Sequence, residues 1–240
     1  MGVTPMTRKL LIVFASGLVL AMVLLSAAWA IGGQAMLARI DKQGGWNFTF
    51  DEGAEAGSAS RTLTFDPAQR LAIDAPVRLR FTRADQSRMT VRGPERLLAG
   101  LRWQDGRLWL DHHGISHHTL VVDIAGPRMP DLAFQGAGMA ELDGLDQPAL
   151  TIDLSGAGSI EARGRVERLT VNSSGAGRID LEDLEARDAN VSSSGVGLID
   201  LSATGKVDAS LSGAGRIALH RKPAQLSSSV SGMGVIDQDY

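Results

Sequence analysis

The chain has 240 residues, of which 44% are hydrophobic, and it carries a formal net charge of −3 with no cysteine. Without cysteine there is no disulfide, thiolate metal site, cysteine nucleophile or lipid-modified cysteine. The mildly acidic balance argues against a polyanionic partner, so we expect no nucleic-acid ligand.

The first predicted element is an export segment, residues 1–38. Two basic residues, Arg8 and Lys9, precede an uncharged apolar run at 10–31, and the A-x-A pattern at 28–30 fits a signal-peptide cleavage site. A run of this length also reaches across a bilayer as an α-helix, so a cleaved signal peptide and a retained membrane anchor both stay open. Either one places the remainder outside the cytoplasm, in the periplasm or at the cell surface.

A linker and then a β-domain are predicted to follow. Residues 39–64 are predicted to form a linker with one short lead-in strand, because Trp46, Phe48 and Phe50 alternate with polar residues. Apolar and polar residues continue to alternate beyond this point. We therefore expect a single β-domain over residues 65–240.

The first half of this domain contains one predicted hairpin. Asp105-Gly106 stands between two alternating apolar runs within 103–110, which is the pattern of a β-hairpin closed by a type I′ turn. Residues 96–101 show a weak helical pattern. The remaining apolar runs before residue 136 are predicted to be strands.

A glycine repeat dominates the second half of the chain. Gly-x-Gly occurs six times from residue 136, at intervals of 20, 19, 20, 18 and 19 residues, and five copies continue as Gly-x-Gly-x-Ile. We expect the glycines to supply backbone conformations that a side chain would forbid. The glycines given this structural role are Gly136, Gly138, Gly156, Gly158, Gly175, Gly177, Gly195, Gly197, Gly213, Gly215, Gly232 and Gly234.

The repeat predicts a solenoid. One unit of about 19 residues cannot bury its own apolar row, whereas stacked units hide that row beneath the equivalent residues of the next coil. The alternation around each Ile predicts short strands, and the coil length favours three short faces. The sequence therefore predicts an all-β β-helix with regular coils from residue 136.

The repeat units also resemble a known family. The segments beginning Ser155-Gly-Ala-Gly-Ser-Ile, Ser174-Gly-Ala-Gly-Arg-Ile, Ser194-Gly-Val-Gly-Leu-Ile and Ser212-Gly-Ala-Gly-Arg-Ile resemble the coils of the bacterial GIN domain, labelled as the head domain of auto-transporter adhesins. The likeness covers residues 65–237. It implies a right-handed β-helix in a protein that carries a signal peptide, and it implies no catalytic residues.

One acidic position recurs just after the repeat isoleucine. It is occupied by Glu141, Glu161, Asp180, Asp200 and Asp237, with Ala218 interrupting the series. Stacked carboxylates would lie about 5 Å apart, and their repulsion would raise some pKa values or attract cations. A cation or ligand ladder is one hypothesis for this column, and a solvated face that keeps the solenoid soluble is the other.

Four histidines fall within seven residues. His112, His113, His117 and His118 could bind Zn²⁺ or Cu²⁺ or respond to pH near 6. Their spacing does not place them on one face of a strand, so metal binding remains a weak hypothesis here.

The sequence contains no arrangement that indicates catalysis. Gly-x-Ser-x-Gly is absent, no nucleotide fingerprint follows any Gly-x-Gly, and we expect neither an enzyme nor a cofactor. We expect an adhesion or binding module at the cell envelope, held at the membrane or secreted, with an unknown protein or glycan ligand. The alternative is a structural scaffold that self-associates.

Overall fold

The computed structural model describes residues 58–111 and 119–240, which form sixteen β-strands and one short helix. The elements in chain order are β1 (Ser58–Leu63), β2 (Leu71–Asp74), β3 (Val77–Arg83), β4 (Arg88–Pro94), α1 (Glu95–Gly100), β5 (Leu101–Gln104), β6 (Arg107–Leu110), β7 (Leu120–Gly126), β8 (Leu132–Phe134), β9 (Ala137–Leu154), β10 (Ala157–Ser173), β11 (Ala176–Ser193), β12 (Val196–Ala203), β13 (Lys206–Leu211), β14 (Ala214–Leu219), β15 (Gln225–Val230) and β16 (Val235–Gln238).

The repeat region is a stack of parallel strands in register. Gly158 of β10 lies opposite Gly138 of β9 and Gly177 of β11, and the same alignment continues to Gly197 and Gly215. The strands β9 to β11 run through almost a whole coil, and their register shifts where the chain bends after the first six residues. The predicted all-β solenoid is thus confirmed, and it has about five turns.

Each coil has three faces. The first face begins at the Gly-x-Gly motif and contains 137–142, 157–162, 176–181, 196–201, β14 and β16. The second and shortest face contains 145–149, 164–168, 184–188 and 202–203, the end of β12. The third face contains 150–154, 169–173, 189–193, β13 and β15.

The core fills the space between the three faces. The repeat isoleucines form one buried column, since Ile160, Ile179, Ile199 and Ile217 are each at most 2% exposed. Burial of one such side chain stabilises the fold by about 1.5–3 kcal/mol. Because the side chains alternate between inside and outside, the residues on either side of these isoleucines face outward, and among them only Ala218 is buried.

The repeat glycines fit the structure for a different reason from the expected one. Gly138 is the only one of the twelve with φ in the left-handed region, at 141°. At the others, a Cβ would collide with the backbone of the coil beneath: at Gly177 it would lie 1.8 Å from the carbonyl oxygen of Gly158. Close approach between coils therefore accounts for the repeat better than backbone conformation does.

The first coils do not stack in sequence order. On the first face β7 lies outside β3, although it follows β3 in the chain, and β3 pairs directly with β9. The antiparallel pair β1–β4 extends this edge, and α1 contacts both of these strands. The predicted hairpin is confirmed as β5–β6, since Asp105 and Gly106 have φ values of 49° and 76°, as a type I′ turn requires.

Several sequence predictions concern residues outside the described part. The export segment, most of the linker and the histidine cluster fall in 1–57 and 112–118. In the described ranges, helices long and apolar enough to cross a membrane are absent.

Candidate functional site

The outward side of the first face, here called the charged flank, carries the predicted acidic column. Strand register aligns Glu141, Glu161, Asp180, Asp200, Ala218 and Asp237. Every carboxylate contacts an arginine, and the contacts are Arg80 with Glu141 at 3.2 Å, Arg163 with Glu161, Arg178 with Asp180 at 3.4 Å and Asp200 at 2.7 Å, and Arg216 with Asp237 at 2.9 Å. The expected column of mutually repelling carboxylates is therefore a column of ion pairs.

The sequence contained a signal for these arginines. Arg178 precedes Asp180 by two residues on β11, and residues two apart on a strand point to the same side. The sequence did not indicate the second partner of Arg178, because Asp200 lies on the strand of the next coil.

The ion pairs leave little to attract a cation. Among residues 58–111 and 119–240, no group of three or more histidine, aspartate and glutamate side chains is placed to hold a metal ion. Because the arginines already pair with these carboxylates, a cation would have to compete with them, and both hypotheses for the column stay predictions. Since His112, His113, His117 and His118 lie outside the described residues, their metal hypothesis stays a prediction.

The second face is also charged and paired. Glu185 accepts hydrogen bonds from Arg165 at 2.8 Å and from Arg221 at 3.1 Å. The pKa of Glu185 is lowered from its ordinary value, chiefly by the hydrogen bond from Arg165 and then by the charge of Arg221. The pKa of Arg165 is raised in return by its hydrogen bond to Glu185. These exposed pairs help to fix the coil.

The outward side of the third face has a different chemistry, and we call it the hydroxyl flank. Its two columns, aligned by strand register, are Thr151, Thr170, Asn190, Asp208 and Ser227, and Asp153, Asn172, Ser192, Ser210 and Ser229. Eight of these ten side chains are neutral hydroxyls or amides. Neighbouring coils repeat about every 4.8 Å, so the flank is a regular array of hydrogen-bond donors and acceptors.

Most of this array is not engaged by the protein itself. The Nδ2 atom of Asn172 donates to Asp153 at 2.6 Å. In the part of the chain that the structure describes, no side-chain hydrogen bond joins Ser192, Ser210 or Ser229 to another residue. The hydroxyl flank therefore offers unsatisfied polar groups to solvent or to a ligand.

A shallow groove of about 240 Å³ runs along one border of the hydroxyl flank, where the third face turns into the next Gly-x-Gly. Its lining is formed by Asp153, Leu154, Ser155, Asn172, Ser173, Ser174, Ser192 and Ser194. Three of the serines that precede a Gly-x-Gly motif, Ser155, Ser174 and Ser194, thus line a groove. Since the groove is open and lacks an aromatic wall, it suits contact with an extended ligand better than enclosure of a small molecule.

Comparison with known proteins places this fold among adhesin-like domains. The model of the family described as "Putative auto-transporter adhesin, head GIN domain" matches residues 69–223, so the resemblance seen in the sequence is confirmed. A solved structure described as a putative adhesin from Bacteroides fragilis NCTC 9343 is 21% identical, with a TM-score of 0.63, and the match covers 77% of this chain and 98% of that one. That likeness shows a shared fold.

Two further solved structures are less similar. A protein described as a "putative lipid binding protein" from Parabacteroides distasonis ATCC 8503 is 18% identical with a TM-score of 0.49, covering 77% of this chain and 97% of its own. A putative adhesin from Parabacteroides merdae ATCC 43184 is 14% identical with a TM-score of 0.44, covering 76% and 96%. No curated protein matches this chain.

Proposed function

Because this chain belongs to the GIN domain family of auto-transporter adhesin heads, we propose that it is an exported adhesion or binding module of the cell envelope that performs no catalysis. The observation that carries the proposal is the contrast between the flanks of one rigid column. On two faces most charged side chains form ion pairs, whereas the hydroxyl flank presents neutral groups, most of which have no side-chain partner among the described residues.

The hydroxyl flank is the proposed recognition surface. A ligand that replaces water on Ser192 and Asn172 breaks few hydrogen bonds within the protein. The equal spacing of the coils gives one weak contact per coil, and repeated contacts along an extended ligand add up to useful affinity. A neutral, hydroxyl-rich glycan is the ligand class that matches this array best, and a polar protein surface is the other candidate.

The recognition surface is tested by substitutions that block it. Ser192→Arg places a long, charged side chain at the centre of the hydroxyl flank, where the native residue is exposed. Ser159→Arg is the matched control, because it makes the same change on the charged flank. A deletion strain complemented with each variant is scored for attachment to neutral glycans, to abiotic surfaces and to other cells.

The outcomes of this experiment separate two parts of the proposal. We expect Ser192→Arg to reduce attachment and Ser159→Arg to leave it unchanged. If the deletion strain attaches as the wild type does, adhesion is the wrong function. If both variants attach normally while the deletion strain does not, the hydroxyl flank is the wrong surface.

The proposed location has a separate test. Fractionation of cells, followed by N-terminal sequencing of the mature chain, distinguishes a cleaved signal peptide from a retained anchor. A full-length chain in the cytoplasmic fraction would contradict the proposed export.

A further inference from the structure

The two ends of the solenoid are built differently. At the N-terminal end, the antiparallel pair β1–β4, the helix α1 and the hairpin β5–β6 cover the first coils. The apolar residues of this end are buried: Leu98 is 8% exposed, Leu101 1% and Leu108 0%. Strand β1 carries the charged residue Arg61, and a charge on an edge strand is one way in which natural sheets avoid pairing with other chains.

The last described coil has no comparable cover. Within the described residues β15 pairs only with β13, and β16 only with β14, so each presents one unpaired edge. The inward side chain of Val230 is 46% exposed, whereas Leu211 directly beneath it is 1% exposed. The corner between the two strands carries Met233, which is 89% exposed.

Met233 stands out against its equivalents in the repeat. The residue between the two repeat glycines is alanine in four of the six copies, at positions 137, 157, 176 and 214, and valine at 196. Only the last coil places a long apolar side chain there. An exposed methionine beside two unpaired strand edges is typical of a surface that meets another polypeptide.

We propose that this end joins a second copy of the chain, related to the first by a two-fold axis that passes near Met233. In such an interface, a residue that lies a given number of positions before Met233 in one copy faces the residue that lies the same number of positions after Met233 in the other copy. Val230 and Ile236 both point inward and lie three residues on either side of Met233. The axis therefore sets Val230 opposite Ile236 of the second copy and Met233 opposite its own counterpart.

This arrangement satisfies both open edges at once. Strand β15 of each copy pairs antiparallel with β16 of the other, so the unpaired backbone groups of both strands gain partners. Val230 lies opposite Ile236, so this apolar pair continues the core across the junction, and the polar Ser228 lies opposite Gln238. The partly exposed floor of the last coil is then covered.

The charges of this end are compatible with self-pairing. Strand β15 contains no charged residue, and the carboxylates of Asp237 and Asp239 are both bound to Arg216 of the same chain. In the proposed register these two carboxylates face Ser229 and Ser227 of the second copy. Like charges directly opposite each other would destabilise the pair, and none occur here.

The capped N-terminal end limits the assembly to two copies. A head-to-tail filament requires both ends of the column to be open, whereas among the described residues the large exposed apolar side chains at the ends, which include Val230 and Met233, lie at the C-terminal one. The proposed interface thus gives a closed dimer as the specific form of the self-association considered from the sequence. Each dimer would carry two hydroxyl flanks, but its existence does not depend on their ligand.

The absence of cysteine in the chain allows a direct crosslinking test. Met233→Cys creates a single thiol near the axis, and Val196→Cys creates one at the equivalent position of an inner coil, where the native valine is 64% exposed. Both full-length variants are oxidised mildly in intact cells, and the products are resolved by non-reducing gel electrophoresis. We expect about tenfold more product of twice the chain mass from Met233→Cys than from Val196→Cys.

A second variant tests the strand edge itself. Val230→Lys, made in the Met233→Cys background, places a charge on the edge, and crosslinking should fall about tenfold. Leu198→Lys in the same background is the control, because Leu198 lies on an inner coil, and it should leave crosslinking unchanged. Equal crosslinking at positions 196 and 233, no product from Met233→Cys, or a product of another mass would overturn the proposal.

Discussion

Substitution of one repeat glycine offers the sharpest test of why the coils stack so closely. In Gly177→Ala, the new Cβ would lie 1.8 Å from the carbonyl oxygen of Gly158, and real Cβ contacts essentially never fall below 3.0 Å. The two coils must therefore separate locally by more than 1 Å. The obstacle is backbone on both sides, so no side chain can move away to make room.

The cost of this separation can be worked from the structure. Overpacking of a rigid site costs about 1–3 kcal/mol, and a lost backbone hydrogen bond costs about 1 kcal/mol more. The bond from the nitrogen of Ala176 to the oxygen of Gly156, 3.1 Å long, lies directly beside the substitution. Alanine also restricts the unfolded chain and returns about 0.4–1 kcal/mol. We expect a net loss of about 1–3.5 kcal/mol from the free energy of unfolding.

The assay is urea unfolding followed by far-ultraviolet circular dichroism. Ala176→Val is the matched control, because it adds more atoms to the same turn but at an exposed position that Val196 occupies one coil later. The control should change the free energy of unfolding by less than about 0.5 kcal/mol. If Gly177→Ala stays within that limit, or if both variants lose the same amount, close approach between coils does not explain the repeat.

Three further predictions concern the core and the charged surface. Ile199→Ala should lower the free energy of unfolding by about 2–5 kcal/mol, whereas Leu198→Ala, one residue away and facing outward, should change it little. Equal effects in urea unfolding would contradict the alternation of inward and outward side chains along β12. Gln147→Leu should lower the free energy of unfolding by about 2–4 kcal/mol. The buried amide of Gln147 accepts a hydrogen bond from the backbone nitrogen of Met129 at 2.9 Å and donates one to the backbone oxygen of Met129 at 3.0 Å. A urea midpoint like that of the wild type would show that these backbone groups find other partners. The pKa of Glu185 is lowered in the folded state. The stability that Glu185 contributes is therefore present above its ordinary pKa and is lost as the pH falls through its folded pKa. Glu185→Gln should make the free energy of unfolding fall less steeply on acidification, and an unchanged pH profile would refute this.

Part of the candidate site could be predicted from the sequence. The position of the acidic column followed from the repeat, since one residue per coil fell at the same distance from the glycines. Its chemistry followed only in part, because some of the arginines that neutralise it come from a neighbouring coil, as Arg178 does for Asp200 and Arg216 for Asp237. The hydroxyl flank was also hidden, since its serines and threonines looked like ordinary turn and strand residues until register placed them in columns.

The sequence by itself determined that this chain is a solenoid with aliphatic residues inside. A period of about 19 residues, with glycines and isoleucines at fixed places, leaves only stacked coils as a way to bury the apolar rows. The local turn at Asp105-Gly106 was equally determined, because both residues favour the left-handed backbone that the hairpin needs. These features depend on neighbours in the chain or on strict repetition.

Only the tertiary structure decided how the ends of the column are made. The order in which β7 and β3 stack reverses their order in the chain, and no local preference encodes that reversal. The same holds for the exposure of Met233 and for the approach of each glycine to the carbonyl beneath it, which depend on residues about one coil away. Contacts between coils have no fixed spacing outside the repeat, so their geometry emerges only when the whole stack is assembled.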